Sequence, residues 1–379
     1  MSGDVQTVFQ RGFNEYYRQH NPSSVQLRAA FSIINCKTGN LGRNVSVCGD
    51  CGHTVIHNNS CRNRHCPSCQ AIPREVWIDS RKAEVIDGPY FHVVMTVPSQ
   101  LNPIIQRNAK LLYPLLHKCS AEALLQLCAN PDIMGGVPGI IQILHTWGQT
   151  LNYHPHVHCI VSGVGLSPIG QLAKCNESYL LPLPKLMPLF RGKLLHHIRE
   201  LYSAGKLSLP TQYQQPASWN SLVSALYAID WAPYIKDTFN GNGNAIEYLG
   251  RYTHRIAISN SRIKDVTDTH VTFSAKDYKT GNTMEITVTL VEFIFRFLQH
   301  VLPAGCHKIR YYGFLNNRYK RRNLITISQL QNAELRHAFL ANLNMAERLK
   351  NLWNIDISIC PNCGSDKLHQ LNKPLKKSG

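Results

Sequence analysis

Two segments of this chain carry residue types at spacings that could do chemistry on a phosphate. In His154-Pro-His156-Val-His158-Cys159 two imidazoles stand two residues apart. An extended strand puts His156 and His158 on one face and turns Val157 to the other, so both rings converge on one point. The run Gly139–Trp147 reads as a strand that returns through Gln149–Pro155, which brings His145 or Gln149 within reach as a third ligand. Two imidazoles and an amide oxygen make an open site suited to Mg²⁺ or Mn²⁺, and such an ion polarises a phosphate. The second segment is Tyr248-Leu-Gly-Arg-Tyr252-Thr-His-Arg255. Four residues apart, Tyr248 and Tyr252 share a helix face. A phenol with a pKa near 10 is ionised to about one part in a thousand at neutral pH. Activation therefore needs a polarised phosphate and cations such as Arg251 and Arg255. For both segments the competing reading is ordinary packing of histidines near a sheet edge and tyrosines on a helix.

Cysteines supply a third chemistry. Cys48-x-x-Cys51, fourteen residues, then Cys66-x-x-Cys69 is the spacing of two knuckles around one structural Zn²⁺. Cys36, His53, Cys61 and His65 lie close enough to substitute as ligands. Cys360-x-x-Cys363 is half of a second site, whose partners could be His369, Cys306 or His307. Arg62 and Arg64, between the ligands, suit phosphate contact or a solvated surface.

The elements that must position these groups follow from periodicity. Pro89–Pro98 is β-branched and aromatic and reads as a strand, and Leu101–Cys128 carries apolar residues at helical spacing, enough to cover one sheet face. Gly139–Trp147 and His156–Val164 read as an antiparallel pair. Leu166–Asn240 reads as partly helical, without chemistry of its own. Ala245–Tyr252 is a short helix by composition, Arg255–Ile263, Val271–Ser274 and Thr283–Val291 are strands, and Glu292–Val301 is an amphipathic helix. The chain has 379 residues, with 40 Lys and Arg against 23 Asp and Glu, a net charge of +17 that points to a polyanion. Lys308–Arg322 interleaves cations with Tyr311, Tyr312, Phe314 and Tyr319, the composition of a strand-binding groove. No apolar run reaches the roughly 18 residues of a membrane span, and the first residues lack a signal-peptide centre, so the expectation is a cytoplasmic protein with no membrane partner. In a reducing compartment, clustered cysteines read as metal ligands rather than disulfides.

Taken together, Cys48-x-x-Cys51, Cys61-Arg-Asn-Arg-His-Cys66-Pro-Ser-Cys69, Val94-Met-Thr-Val-Pro98, His145-Thr-Trp-Gly-Gln149, His154-Pro-His-Val-His158 and Tyr248-Leu-Gly-Arg-Tyr252-Thr-His-Arg-Ile-Ala-Ile-Ser-Asn260 resemble, in order, the two-tyrosine HUH rolling-circle transposases of the insertion-sequence-91 family. The resemblance implies an α+β HUH endonuclease fold, an antiparallel sheet with flanking helices, preceded by a small zinc-ribbon-like domain. It divides the chain into a helical and zinc-binding DNA-recognition part over residues 1–85, a catalytic part over 86–325 with a helical insertion around 166–240, and a tail over 326–379 carrying the second knuckle. By the same resemblance His156 and His158 are the metal ligands, Gln149 the third, and Tyr248 and Tyr252 the nucleophiles. The implied reaction is metal-dependent cleavage and joining of single-stranded DNA at element ends and target through 5′-phosphotyrosine. Arg62, Arg64, Arg251, Arg255, Lys308, Arg310, Arg318, Lys320 and Arg321 are the expected DNA contacts. Cys306 departs from the family, where an aromatic residue is expected. A chemically close alternative is a replication initiator or relaxase, and a different class is a zinc-ribbon DNA-binding protein without catalysis. The sequence has no Gly-x-x-x-x-Gly-Lys-Ser/Thr loop, so duplex opening would fall to host replication or helicase proteins.

Overall fold

A computed structural model describes residues 3–176, 180–232, 234–236, 246, 250, 257–277 and 280–371. The chain begins with two helices, α1 (Val5–Gln19) and α2 (Ser24–Ile34), each opened by a reciprocal cap, Asp4 with Thr7 and Ser23 with Gln26. A hairpin of β1 (Arg43–Cys48) and β2 (Thr54–Asn58) follows, then α3 (Ala71–Lys82) and β3 (Tyr90–Thr96). Next come α4 (Asn102–Arg107) and α5 (Ala109–Cys128), then β4 (Val137–Trp147), β5 (Tyr153–Leu166) and β6 (Leu172–Lys174). The long middle region supplies α6 (Leu183–Ser203), α7 (Pro216–Ala228) and β7 (Tyr234–Lys236). Beyond it lie β8 (Ile263–Val266), β9 (His270–Lys276), β10 (Thr283–Thr289), α8 (Leu290–Leu298), β11 (Ile309–Gly313), α9 (Lys320–Leu330), α10 (Met345–Trp353) and β12 (Leu368–Gln370).

The architecture is α+β around an antiparallel sheet ordered β11-β4-β5-β3-β7, with β6 beside β5. Alternation gives this sheet two unlike faces. One carries Phe91, Val93, Met95, Ile140, Leu144, Val157 and Val161, packed under Leu112, Leu116 and Leu124 of α5 and Leu186, Phe190 and Leu194 of α6. Trp219, Leu222 and Leu226 of α7 join the same core, so the stretch that showed no chemistry forms half of the helical layer. The opposite face carries His145, His156 and His158, with Ile141, Ile143 and Ile160 sealed under Ile78, Phe314, Leu315 and Ile327 at one end. Gly313 turns the chain out of β11 at φ +62°, where a Cβ would meet the Pro138 carbonyl oxygen at 1.7 Å.

A second core joins distant stretches. Val5, Val8, Phe9 and Phe13 of α1 pack with Phe293, Ile294 and Phe297 of α8 and with Phe273 of the three-stranded sheet β10-β9-β8. Phe9 meets Phe297 edge to face with ring centroids 5.2 Å apart. A third sheet, β12-β1-β2, is thin and largely exposed. Among the described residues no helix is long and apolar enough to cross a membrane.

Where the second core meets the central sheet, buried His300 accepts from the Thr146 hydroxyl through Nδ1 (3.1 Å) and donates from Nε2 to the Leu151 carbonyl (2.9 Å). Burial pushes its pKa down to about 4. Unfolding restores an ordinary histidine that binds a proton near pH 6.5, so its contribution is full above that pH and is lost as pH falls towards about 4. The stability advantage of the natural chain over His300→Gln should therefore shrink by about 2 kcal/mol between pH 7 and pH 5 in urea unfolding. An advantage independent of pH would show that His300 titrates alike in both states.

Candidate metal and nucleic-acid site

The histidines meet because of strand register. Antiparallel pairing sets His145 of β4 opposite His156 of β5, and Ile143 opposite His158. One ligand atom from each of His145, His156 and His158 falls within 4.8 Å of the others. The Nε2 atoms of His156 and His158 are 3.0 Å apart, which suits two nitrogens bound side by side to one ion at about 2.1 Å.

Neighbours turn the rings. His156 Nδ1–H donates to the His154 carbonyl at 2.7 Å, so Nε2 keeps its lone pair. His158 Nδ1 lies 2.8 Å from Nε2 of His92, the β3 residue on the same sheet face, a contact that holds the His158 ring in place. Trp147 stacks on His145 with centroids 4.5 Å apart. Burial is the main cause that lowers both pKa values, His156 to about 4 and His158 well below the usual histidine range. Both are neutral at pH 7, the protonation state a metal ligand requires.

The turn before the motif is clamped from the second core. Three successive carbonyls accept hydrogen bonds, Gln149 from Arg262 Nη2 (2.5 Å), Thr150 from Arg296 Nη1 (3.1 Å) and Leu151 from His300 Nε2 (2.9 Å). Leu151 sits there at φ +64°, a conformation that costs a branched residue of order 1 kcal/mol and so needs such support. His145 is a third residue whose ring atoms the structure brings to the pair. The register shifts between His145 and Trp147, and the Gln149 side-chain oxygen accepts from the Lys276 amide nitrogen of β9 at 3.5 Å. Tyr248 and Tyr252, with Arg251 and Arg255, lie outside the described residues. Ile246 and Gly250 are described: Ile246 is buried in the core on the histidine face, and a Cβ on Gly250 would fall 2.2 Å from Ile78 Cγ1.

The cysteines assemble differently from their spacing. Cys66 and Cys69 meet Cys36 and Cys61, whereas Cys48 and Cys51 meet Cys360 and Cys363. The hairpin explains the exchange. Cys36 and Cys61 flank its open end, where Lys37 N–H donates to Asn59 and Arg43 pairs with Asn58, while Cys48 and Cys51 occupy its tip. Strand β1 separates the two ends by roughly 20 Å, beyond reach of one ion. In the first group Cys69 Sγ lies 3.5 Å from both Cys36 and Cys61 Sγ, compatible with a tetrahedral thiolate shell. His65 is not a ligand: its Nδ1 pairs with Asn63 Oδ1 (3.1 Å), its Nε2 accepts from the Leu302 amide (3.2 Å), and burial lowers its pKa to about 3. Cys306 is buried away from both groups.

Several expected DNA contacts are used internally. Arg64, itself exposed, donates to the carbonyls of Cys306 (2.8 Å) and Pro303 (3.3 Å). Lys308 lies 4.8 Å from the Trp147 ring centroid, its pKa driven well below the lysine range by burial and by Arg64. Arg310 is half-buried in β11 opposite Gln142, and Lys320 pairs with Glu84 at 2.5 Å. Phe314 is in the core, and the Tyr311 hydroxyl takes Trp77 Nε1–H (3.0 Å) and Arg81 (2.5 Å). Arg62, Arg318 and Arg321 are exposed, as is Tyr319, with Arg318 and Arg322 each 5.2 Å from its ring centroid.

Residues 8–97 match the family described as "Transposase zinc-binding domain", and residues 139–323 the family described as "Putative transposase". The chain is 39% identical over 368 residues to "Putative transposase y4qJ" of Sinorhizobium fredii (strain NBRC 101917 / NGR234), covering 95% of this chain and 92% of that one. It is 30% identical over 301 residues to "Transposase for insertion sequence element IS801" of Pseudomonas savastanoi pv. phaseolicola, covering 78% and 71%. No solved structure matches the chain.

If the clamp on the turn positions the histidines, Arg296→Ala should weaken Mn²⁺ binding about 10-fold in calorimetric titration, while Gln149→Ala, which keeps the clamped carbonyl, should stay within about twofold. Equal losses in the two variants would contradict this.

Proposed function

The chain belongs to the insertion-sequence-91 family of transposases, which includes the IS801 enzyme, and from that membership we propose that it moves a DNA element by cutting and rejoining single strands. The observation that carries the reading is the cluster of His145, His156 and His158, three imidazoles on the sheet face opposite the helical layer. A bound divalent ion would polarise the scissile phosphate and offset its charge. An all-imidazole donor set favours Mn²⁺ over Mg²⁺, which prefers oxygen ligands.

Tyr248 or Tyr252 is the nucleophile. Its phenolate oxygen attacks phosphorus, the bond to the 3′ oxygen breaks, and the products are a 5′-phosphotyrosine and a strand ending in a 3′-hydroxyl. Attack by another 3′-hydroxyl on that phosphotyrosine frees the tyrosine and joins the new strand, so the phosphodiester energy is retained and joining needs no ATP. A second tyrosine lets one site hold a second strand end while the first remains attached. Support comes from Ile246, buried in the core on the histidine face, and Gly250, packed on Ile78 of α3, which bracket Tyr248 in sequence. Arg62, Arg251, Arg255, Arg318 and Arg321 are assigned to the strand path, with Tyr319 available to stack a base. Zn²⁺ in the cysteine groups is structural. Host proteins would open the duplex, and the protein would act where chromosomal DNA lies, in the cytoplasm.

Incubation of the chain with Mn²⁺ and a single-stranded end oligonucleotide should give a covalent adduct resolvable by denaturing electrophoresis, and Tyr248→Phe combined with Tyr252→Phe should abolish it. An undiminished adduct in that double variant would overturn the mechanism. Gly250→Ala should lower the adduct yield at least about 10-fold, because the added methyl pushes the segment off Ile78. Ile78→Ala in the same chain should restore part of the yield.

A further inference from the structure

The chain's two ends carry the same knuckle. Cys48-Gly-Asp-Cys51-Gly52-His53 and Cys360-Pro-Asn-Cys363-Gly364-Ser365 follow one pattern, and their backbones close in one way. In the first, Cys48 N–H donates to the His53 carbonyl (3.0 Å) and Gly52 N–H to that of Cys48 (2.9 Å). In the second, Cys360 N–H donates to Ser365 (2.7 Å) and Gly364 N–H to Cys360 (2.9 Å). Gly52 and Gly364 take φ +70° and +75°, where other residues are strained.

The knuckles face each other. Cys48 Sγ stands 3.6 Å from Cys363 Sγ and Cys51 Sγ 3.7 Å from Cys360 Sγ. A regular tetrahedron with Zn–S of 2.3 Å has edges of about 3.8 Å, whereas a disulfide would need about 2.05 Å. Strand β12 adds to β1 with Ser46 opposite Gln370 and Cys48 opposite Leu368, and Leu371 N–H donates to the Val45 carbonyl at 2.8 Å. Asp50 receives Lys367 Nζ (2.9 Å) and the Ser365 hydroxyl (2.7 Å). Apolar burial is too small to hold this unit: Ile56 is 54% exposed, and in the two strands and the facing knuckle only Cys48 and Cys360 are buried. A unit without a core needs a metal to be stable.

We infer that Cys48, Cys51, Cys360 and Cys363 bind a second zinc ion, separate from that of Cys36, Cys61, Cys66 and Cys69, which closes a zinc ribbon built from both ends of the chain. Two of its four ligands lie beyond residues 8–97, the part that matches the zinc-binding family. The C-terminal segment is thereby a strand of the DNA-recognition module rather than a free tail. This inference does not depend on the transposition chemistry.

Metal content of the purified full-length chain tests it, with His156→Ala and His158→Ala present throughout so that the histidine cluster adds no zinc. Elemental analysis should find two zinc ions per chain, and one after Cys360→Ser with Cys363→Ser. Hydrogen exchange provides a readout independent of the count. In the Cys360→Ser, Cys363→Ser chain the amides of β12 should lose protection while those of β4 and β5 keep theirs. A single zinc in the parent chain, or an unchanged count and a protected β12 in the variant, would overturn the inference.

Discussion

The pairing of His145 with His156 across two antiparallel strands is the contact on which the rest of the molecule depends. Three imidazoles on one sheet face cannot be charged so close together, and burial together with mutual repulsion keeps His156 and His158 neutral. Neutral rings still need the correct nitrogen forward, which the His154 carbonyl provides for His156, while His92 holds the His158 ring. The opposite face pays no such penalty, and there α5, α6 and α7 bury an apolar layer against the sheet.

The ends of the chain serve this centre by different physics. Helix α1 packs on α8 through aromatic and aliphatic burial, and that unit lends Arg262, Arg296 and His300 to the turn between the metal strands. The cysteine-bearing hairpin has almost no apolar interior and relies on thiolate groups instead. Cys36 and Cys66 are buried at the margin of the second core, which ties the first thiolate group to the α1–α8 unit and, through it, to the clamped turn.

Period-two alternation made the essentials of the site legible. The sharing of a face by His156 and His158, the burial of Val157, the strand at Tyr90–Thr96 and the helix ending at Cys128 all follow from local pattern. What escaped local pattern is equally specific. The alternation from His145 towards Gln149 is interrupted where the register shifts after His145, and a bulge leaves no mark in residue types. The partners of Cys48 and Cys51 lie some three hundred residues away, so nearest spacing grouped them with Cys66 and Cys69. The basic run from Lys308 to Arg322 reads as one groove in composition, yet alternation and packing turn Arg310, Phe314 and Lys320 inward. His92 gave a weak signal, a polar residue inside an apolar strand, which only the cross-strand pairing explains.

The proposed centre is three protein nitrogens around one divalent ion. Pulsed electron paramagnetic resonance of the Mn²⁺-loaded chain counts them directly through nitrogen hyperfine couplings. Three imidazole nitrogens should appear, falling to two in His145→Ala and remaining three in Gln149→Ala. A natural chain with only two nitrogen couplings, both kept in His145→Ala, would contradict the assignment.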